Sequence, residues 1–337
     1  MDRILYIGNF LSKTHGTLGP AVALVERFRE SGNTVCMASS RKNKVLRIAE
    51  MCRKATFNGY DTIIIDVYST SAMTFADVCS RIAHFRKKKI ILTLQGGGLV
   101  DVYNTKGNVI NKLFERASII TTPSMFLQQF FQGVGFNLVY IPNTIDIDRF
   151  SYFLERPHNH SILWVRAFTQ IYNPDVAVRA LAIVKEQYPD ATLTMVGPDK
   201  GNKEETVALI GKLGLDDSIV LTGKIPNDQL PGYYHRHDVY LNTTSYESFG
   251  VAVLEAAACG TPVVSTSVGE IPLMWKDNEN ILLAENVGER ELAEKICQLF
   301  ADSELYTRIQ ENGRRRAEEY AWPSVEAQWK MVLAKDK

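Results

Sequence analysis

The chain lacks any stretch approaching the roughly 18 consecutive apolar residues that a membrane-crossing helix needs, so no spanning segment is expected. Cysteine is scarce and scattered. The five present (Cys36, Cys52, Cys79, Cys259 and Cys297) are odd in number and form no CxxC pair. They read as free thiols in a reducing compartment, with neither a disulfide framework nor a structural zinc. There is no low-complexity tract, no short-period repeat and no bias toward disorder or fibre. The first residues, Met1-Asp2-Arg3-Ile4-Leu5-Tyr6-Ile7, enter a strand pattern at once and do not read as a signal peptide, so the expected location is cytoplasmic.

Net charge is also absent, with 38 Lys and Arg against 38 Asp and Glu, but the balance is uneven along the chain. Residues 1–145 hold 18 cations against 9 anions, and the remainder holds 20 against 29. Arg41-Lys42-Asn43-Lys44 with Arg47, Arg53 and Lys54 forms one basic cluster, and Arg81 with Arg86-Lys87-Lys88-Lys89 forms another. These runs carry no interleaved aromatic platform, which argues against nucleic acid. A solvated helix face accounts for either cluster alone; an anionic membrane surface is the sharper alternative.

At 337 residues the chain is too long for one typical core and fits two domains. Both halves alternate short apolar runs with helical patterns, the signature of α/β doubly wound parallel sheets. Strands are expected at residues 4–7, 34–38, 62–66, 90–93, 119–121 and 138–141, then at 162–165, 192–196, 219–221, 239–241, 263–265 and 281–283. Helical patterns fall between them, at 18–30, 44–55, 72–85, 109–116 and 124–131 in the first half and 174–187, 203–213, 228–235 and 250–258 in the second. Pro142-Asn143-Thr144-Ile145-Asp146 punctuates the switch between halves. Everything after about 287 reads as helix. The expected division is 1–145, 146–318 and a tail helix at 319–337.

The most informative stretch is Glu247-Ser248-Phe249-Gly250-Val251-Ala252-Val253-Leu254-Glu255. It follows a strand pattern and opens an apolar helix. A small-residue turn into a helix start presents free N–H groups and the positive end of the helix dipole, which suits a phosphate. Gly250 lets the backbone approach an anion closely. Glu255 lies about five residues into the helix, roughly 7–8 Å along its axis, so the two carboxylates cannot share one proton. They suit the two ends of a long ligand with a diphosphate between.

This segment resembles the Glu-x7-Glu motif of retaining glycosyltransferases of the GT-B fold, closest to glycosyltransferase family 4. The resemblance implies two Rossmann-like domains facing across a cleft, with a nucleoside diphosphate sugar on the second and an acceptor on the first. It assigns Glu247 to the transferred sugar, Glu255 to the ribose, and the backbone at Ser248, Phe249, Gly250 and Val251 to the diphosphate. Arg166, just after the strand pattern 162–165, is placed as the cation that neutralises the departing diphosphate. The lysine usual about five residues later is missing, replaced by Gln170-Ile171-Tyr172-Asn173-Pro174. Lys200, in the loop Gly197-Pro198-Asp199-Lys200-Gly201, is a candidate for that charge; a solvated turn lysine is the plainer account. Ile225 stands where the family's backbone reads the base.

On the acceptor side the resemblance points to Gly16 in the loop 8–20, and to Gln95 and Gly96 where relatives carry a histidine. The interdomain stretch resembles the family's Pro-Asn-Gly linker with Thr144 for the glycine, and the pattern at 321–333 resembles its tail helix. No metal is expected: Asp146-Ile147-Asp148 lies in the linker, and His235, His237 and Asp238 lack a third ligand at metal spacing. The two histidines read as helix-end and surface residues, and Cys259 as core packing.

The resulting expectation is a retaining, metal-independent hexosyltransferase without cofactor. It would use a UDP- or GDP-linked sugar and a glycan or lipid-linked acceptor, in bacterial-type polysaccharide or glycolipid assembly. Its basic first half would allow peripheral contact at the inner membrane face. The alternatives are a catalytically silent nucleotide-sugar-binding partner of the same fold, or a nucleotide-sugar epimerase.

Overall fold

In the computed structural model, which describes residues 2–8, 10, 20–39, 41–57, 59–69, 72–96, 98–155 and 158–334, the chain divides into two compact units. The first takes Met1–Thr144 together with Trp322–Lys337, and the second takes Ile145–Ala321.

The first unit runs β1 (Arg3–Ile7), α1 (Pro20–Glu30), β2 (Thr34–Ala38), α2 (Lys44–Phe57), β3 (Thr62–Tyr68), α3 (Ala72–Phe85), β4 (Lys89–Gln95), α4 (Leu99–Phe114), β5 (Ile119–Thr122), α5 (Met125–Gly133) and β6 (Val139–Tyr140). Its strands pair in parallel in the order β2-β1-β3-β4-β5-β6. Side chains alternate along a strand, so each strand feeds two cores. Leu5, Ile7, Ile63, Ile65 and Leu92 pack against α2, α3, α4 and α5, while Ile4, Tyr6, Ile64 and Ile91 pack against α1. That second face also takes the last helix of the chain, Trp322–Leu333, whose Trp329 meets Phe28 edge-on with ring centroids 5.2 Å apart. Strands buried on both faces are mostly apolar, which is why β3 reads Thr-Ile-Ile-Ile-Asp-Val-Tyr, with Asp66 as the exception.

The second unit runs β7 (Ser161–Val165), α6 (Pro174–Gln187), β8 (Thr192–Val196), α7 (Lys203–Leu213), β9 (Ile219–Gly223), α8 (Leu230–His235), β10 (Val239–Asn242), α9 (Val251–Ala258), β11 (Val263–Thr266), α10 (Ile271–Met274), β12 (Leu282–Ala284), α11 (Glu289–Ala301) and α12 (Ser303–Glu318); the tail helix Trp322–Leu333 is α13. Its sheet is again parallel, in the order β12-β11-β10-β7-β8-β9. Ile162, Trp164, Met195 and Leu241 face α6 and α11, and Leu163, Val196 and Tyr240 face α8 and α9. The Trp164 ring is fully buried, and its indole N–H donates to Thr243 Oγ1 at 2.9 Å, which satisfies the one polar atom it carries inward.

Each expected strand is present, with ends displaced by no more than two residues. Two helices differ from expectation. α4 starts at Leu99 rather than 109 and carries a break at Lys106 (φ −138°, ψ 38°), where Asn104, Lys106 and Gly107 weaken the helical pattern. Gly98 therefore acts as the N-cap of α4. The four-residue α10 opens with Ile271-Pro272 and is too short to show a period.

Both sheets reverse their direction of winding at one place: between β1 and β3 in the first unit, and between β7 and β10 in the second. Outside the carboxyl ends of strands at such a reversal the flanking loops diverge and leave a crevice, the usual ligand position in open α/β sheets.

Candidate functional site

Arg166 and Glu247 follow the two strands that flank the reversal in the second unit. Arg166 comes directly after β7, and Glu247 lies five residues beyond the end of β10. The Arg166 Nη2 donates to Glu247 Oε2 at 2.5 Å, and its Nε donates to Asn242 Oδ1 at 3.2 Å. Asn242 is fully buried at the end of β10 and is itself fixed by donating to Ser265 Oγ on β11 at 2.9 Å. The guanidinium also lies over the Tyr172 ring, 5.2 Å from its centroid. Both members of the ion pair are largely enclosed, each side chain about 11% exposed. A guanidinium has five donors, so these contacts leave part of the fork unoccupied.

Two glycines make this arrangement possible. A Cβ at Gly197, just past β8, would stand 1.7 Å from the Arg166 carbonyl oxygen. A Cβ at Gly269 (φ +57°) would stand 2.0 Å from the Glu247 carbonyl oxygen, which instead accepts the Glu270 N–H at 2.9 Å. The loops after β8 and β11 thus press directly on the backbones that carry the ion pair.

Gly250 caps α9 in the left-handed region (φ +84°, ψ +46°), a conformation glycine adopts without penalty. Among the described residues the N–H groups of Gly250 and Val251 make no hydrogen bond. Those of Ser248 and Phe249 differ from the expected free amides, because the Glu247 carboxylate folds over them: Oε1 accepts from Ser248 N at 3.1 Å and from Phe249 N at 3.4 Å. The Phe249 ring is a core anchor, edge-on to Tyr320 at 5.9 Å. Glu255, in the second turn of α9, accepts the Tyr234 hydroxyl at Oε2, 3.0 Å. Burial pushes its carboxyl up to about 7, with Tyr234, Arg149 and Arg166 acting in the opposite direction.

Ile225 is half-buried against the same core as Val165 and Phe249. Lys200 is exposed, its side chain has no partner among the described residues, and its backbone N–H donates to the Phe168 carbonyl at 3.0 Å. Gln95 ends β4 of the first unit in register with Tyr68, and Gly96 follows at φ +85°. Gly16 lies outside the described residues. His237 corrects the expectation of a surface histidine. It is buried between the Tyr233 carbonyl (Nδ1, 2.7 Å) and Thr194 Oγ1 (Nε2, 2.8 Å), and burial lowers its pKa. Cys259 is fully buried in the core, as expected. Tyr172, Asn242, Tyr234 and Gly269 went unmarked in the sequence, although Asn242 and Gly269 sit at strand ends where the same rule would have found them.

This pair of parallel α/β units, with a cation and a carboxylate at a strand-end reversal, is a GT-B fold. Residues 151–316 match the model of the family described as Glycosyl transferases group 1. The chain is 28% identical over 210 residues to a D-inositol 3-phosphate glycosyltransferase of Corynebacterium jeikeium, covering 57% of this chain and 50% of that protein. The chain thus spans about half the length of the curated relatives it matches, or less. Two solved structures match nearly end to end at 18% identity, a likeness that establishes the fold. Sucrose-phosphate synthase from Thermosynechococcus elongatus has a TM-score of 0.78, with 98% of each chain covered. Anabaena HepE in complex with UDP has a TM-score of 0.79, with 98% of this chain and 99% of that chain covered.

Proposed function

We propose that the protein transfers a hexose-type sugar, with retention of anomeric configuration, from a nucleoside diphosphate sugar to an acceptor hydroxyl. The observation that carries this reading is the part-buried Arg166–Glu247 pair beside the unpaired Gly250 and Val251 amides at the reversal of the second sheet. Arg166 and the start of α9 offer positive potential to a diphosphate, Glu247 offers a hydroxyl acceptor to the sugar, and Glu255 one to the ribose. The family match over this unit supports the reading, and the UDP in the HepE structure favours a UDP-linked donor.

In the step, the bond between the anomeric carbon and the diphosphate oxygen breaks as the acceptor oxygen bonds to the same face of that carbon. The acceptor's proton passes to the departing phosphate, whose growing charge falls to Arg166 and the α9 amides. Removing one such charge-stabilising donor lowers turnover by on the order of a hundredfold. No metal or cofactor enters this scheme. The test is transfer from a panel of UDP- and GDP-sugars to candidate glycan acceptors in EDTA, with product configuration read by proton NMR. An inverted product or a requirement for added metal would overturn the mechanism. Intact donor binding without any turnover would instead identify a silent nucleotide-sugar-binding partner.

The setting we propose is polysaccharide or glycolipid assembly at an anionic membrane face. No helix among the described residues is long and apolar enough to cross a membrane. The first unit, however, exposes Val45 and Leu46 beside Lys42 and Lys44, and Phe57 and Phe85 near Arg53 and Arg86. Apolar side chains among cations suit a lipid surface. Co-sedimentation with phosphatidylglycerol vesicles but not with pure phosphatidylcholine is the expected result, and equal behaviour with both would refute it.

A further inference from the structure

The first unit holds a second buried carboxylate at the matching place in its own sheet. Asp66 on β3 stands beside Gly8 across the reversal between β1 and β3, one position past the paired Ile65 and Ile7. It is 4% exposed, and its Oδ1 accepts the Tyr6 hydroxyl at 2.9 Å. Its Oδ2 is buried and has no hydrogen-bond partner among the described residues. A Cβ at Gly8 would stand 2.6 Å from that oxygen, so glycine keeps the adjacent space clear. A buried acceptor left without a donor is destabilising, and a ligand hydroxyl would relieve it. Burial pushes the Asp66 carboxyl up to about 7, with Tyr6, Tyr68 and Gln95 acting the other way.

A cavity of about 270 Å³ opens at these strand ends. Its wall includes Gly8, Asp66 and Tyr68 from the sheet, Phe75 from α3, and Lys44 and Arg47 from the first turn of α2. The Lys44 side chain has no partner among the described residues, and Arg47 spends only its Nε, on the Arg41 carbonyl at 2.8 Å. The nearby acid, Glu50, is already engaged by Ser39, Arg41 and Lys54. Two cations therefore face the cavity without an anion of their own, while a buried carboxylate oxygen waits for a donor.

We propose that this cavity binds a phosphate ester that also carries free hydroxyls, a sugar or polyol phosphate, with the phosphate on Lys44 and Arg47 and a hydroxyl donating to Asp66. Its role as the acceptor rests on the transferase reading above; binding itself does not.

The test is calorimetry on the full chain without donor. The probes are glucose 6-phosphate, myo-inositol 1-phosphate and glycerol 3-phosphate, each against its unphosphorylated parent and inorganic phosphate, with phosphatidylinositol vesicles as the lipid-borne form. At least one ester, soluble or in vesicles, should bind tenfold or more tightly than its parent and than inorganic phosphate. The double variant Lys44→Ala/Arg47→Ala should weaken it at least tenfold, and Asp66→Asn should weaken it while UDP binding stays unchanged as the check on folding. No binding by any ester, equal binding of inorganic phosphate, or unaltered affinity in the double variant would overturn the proposal. Because no turnover is read, such a failure leaves the donor-side reading standing, and a failed transfer assay leaves this one standing.

Discussion

Replacing Glu247 by glutamine should tighten nucleoside diphosphate binding while lowering transfer. In the free protein the Arg166 guanidinium is shared between Glu247 and Asn242, and the Glu247 carboxylate also covers the Ser248 and Phe249 amides. A diphosphate reaching the same guanidinium lies within about 8 Å of that carboxylate. Two like unit charges at about 4 Å repel by roughly 4 kcal/mol at an effective dielectric near 20, and by about 2 kcal/mol at twice the distance. Glutamine keeps the volume and one acceptor for Nη2 but removes the charge. The gain of about 2 kcal/mol corresponds to roughly thirtyfold tighter UDP binding. Turnover should fall on the order of a hundredfold, because the group facing the sugar has lost its charge. Breaking one side of an enclosed ion pair also destabilises the fold, by about 3 kcal/mol at the lower end of the usual range. Calorimetric titration with UDP at fixed salt, on protein shown folded by urea titration, reads the first effect. Unchanged or weaker UDP binding in a folded Glu247→Gln protein would refute the placement of the diphosphate against Arg166.

Glu255, held near 7 by burial, should release part of a proton when UDP-glucose binds at pH 7, because ribose hydroxyls favour its ionised form. Calorimetry in two buffers of different ionisation enthalpy reads this release, and Glu255→Gln should abolish it. The same raised pKa means that the folded state keeps a proton which the unfolded state has lost. Its contribution to stability therefore falls as pH rises from about 4.5 to about 7 and is level above, a slope that Glu255→Gln should remove from a urea titration series. Gly269→Ala places a Cβ against the Glu247 carbonyl at positive φ and should destabilise by more than about 1 kcal/mol with weakened UDP binding. A neutral melting temperature would count against the role of that loop. Asp302 Oδ1 caps α12 by accepting from Glu304 N and Leu305 N, at 3.0 and 2.9 Å. Asp302→Ala should lose about 1 kcal/mol, roughly 3 °C in melting temperature, with UDP affinity unaltered.

The strands were legible because strands buried on both faces are mostly apolar, and runs such as Ile63-Ile64-Ile65 or Val263-Val264 stand out between polar loops. The first half of α4 was not, since Asn104, Lys106 and Gly107 dilute its period and the helix forms through packing of Leu99 and Ile110 on the sheet. Glu247 and Glu255 were visible because their spacing and the glycine between them are local. The ion pair was not a local signal: Arg166 and Glu247 are 81 residues apart, and only the order of strands brings them together. Asp66 reads in the sequence as part of a strand, although an acid within Ile-Ile-Ile-Asp-Val is itself a sign of something held against the burial rule. His237 was misplaced for the same reason in reverse, since nothing in Tyr233-Tyr234-His235-Arg236-His237 announces that Thr194, 43 residues earlier, will take its ring inward.

The missing lysine takes a different meaning once the loop after β7 is seen. Where a second cation would stand, Gln170–Tyr172 forms a single tight turn, closed by Asn173 in the left-handed region. Asn173 donates to the Thr243 carbonyl at 2.7 Å, and the Tyr172 carbonyl accepts Thr243 Oγ1 at 2.6 Å. The turn is thereby tied to the end of β10, and Tyr172 lays its ring under Arg166. A lysine is a mobile point charge, whereas a guanidinium stacked on an aromatic face and gripped at Nε and Nη2 loses little further freedom when an anion arrives. One cation fixed in direction can stabilise a developing charge as well as two that must first be ordered, because orientation met during folding need not be met again during reaction. In this chain Tyr172 and Asn242 hold Arg166 in place, and in the proposed step the positive ends of the Gly250 and Val251 amides would supply the remaining potential.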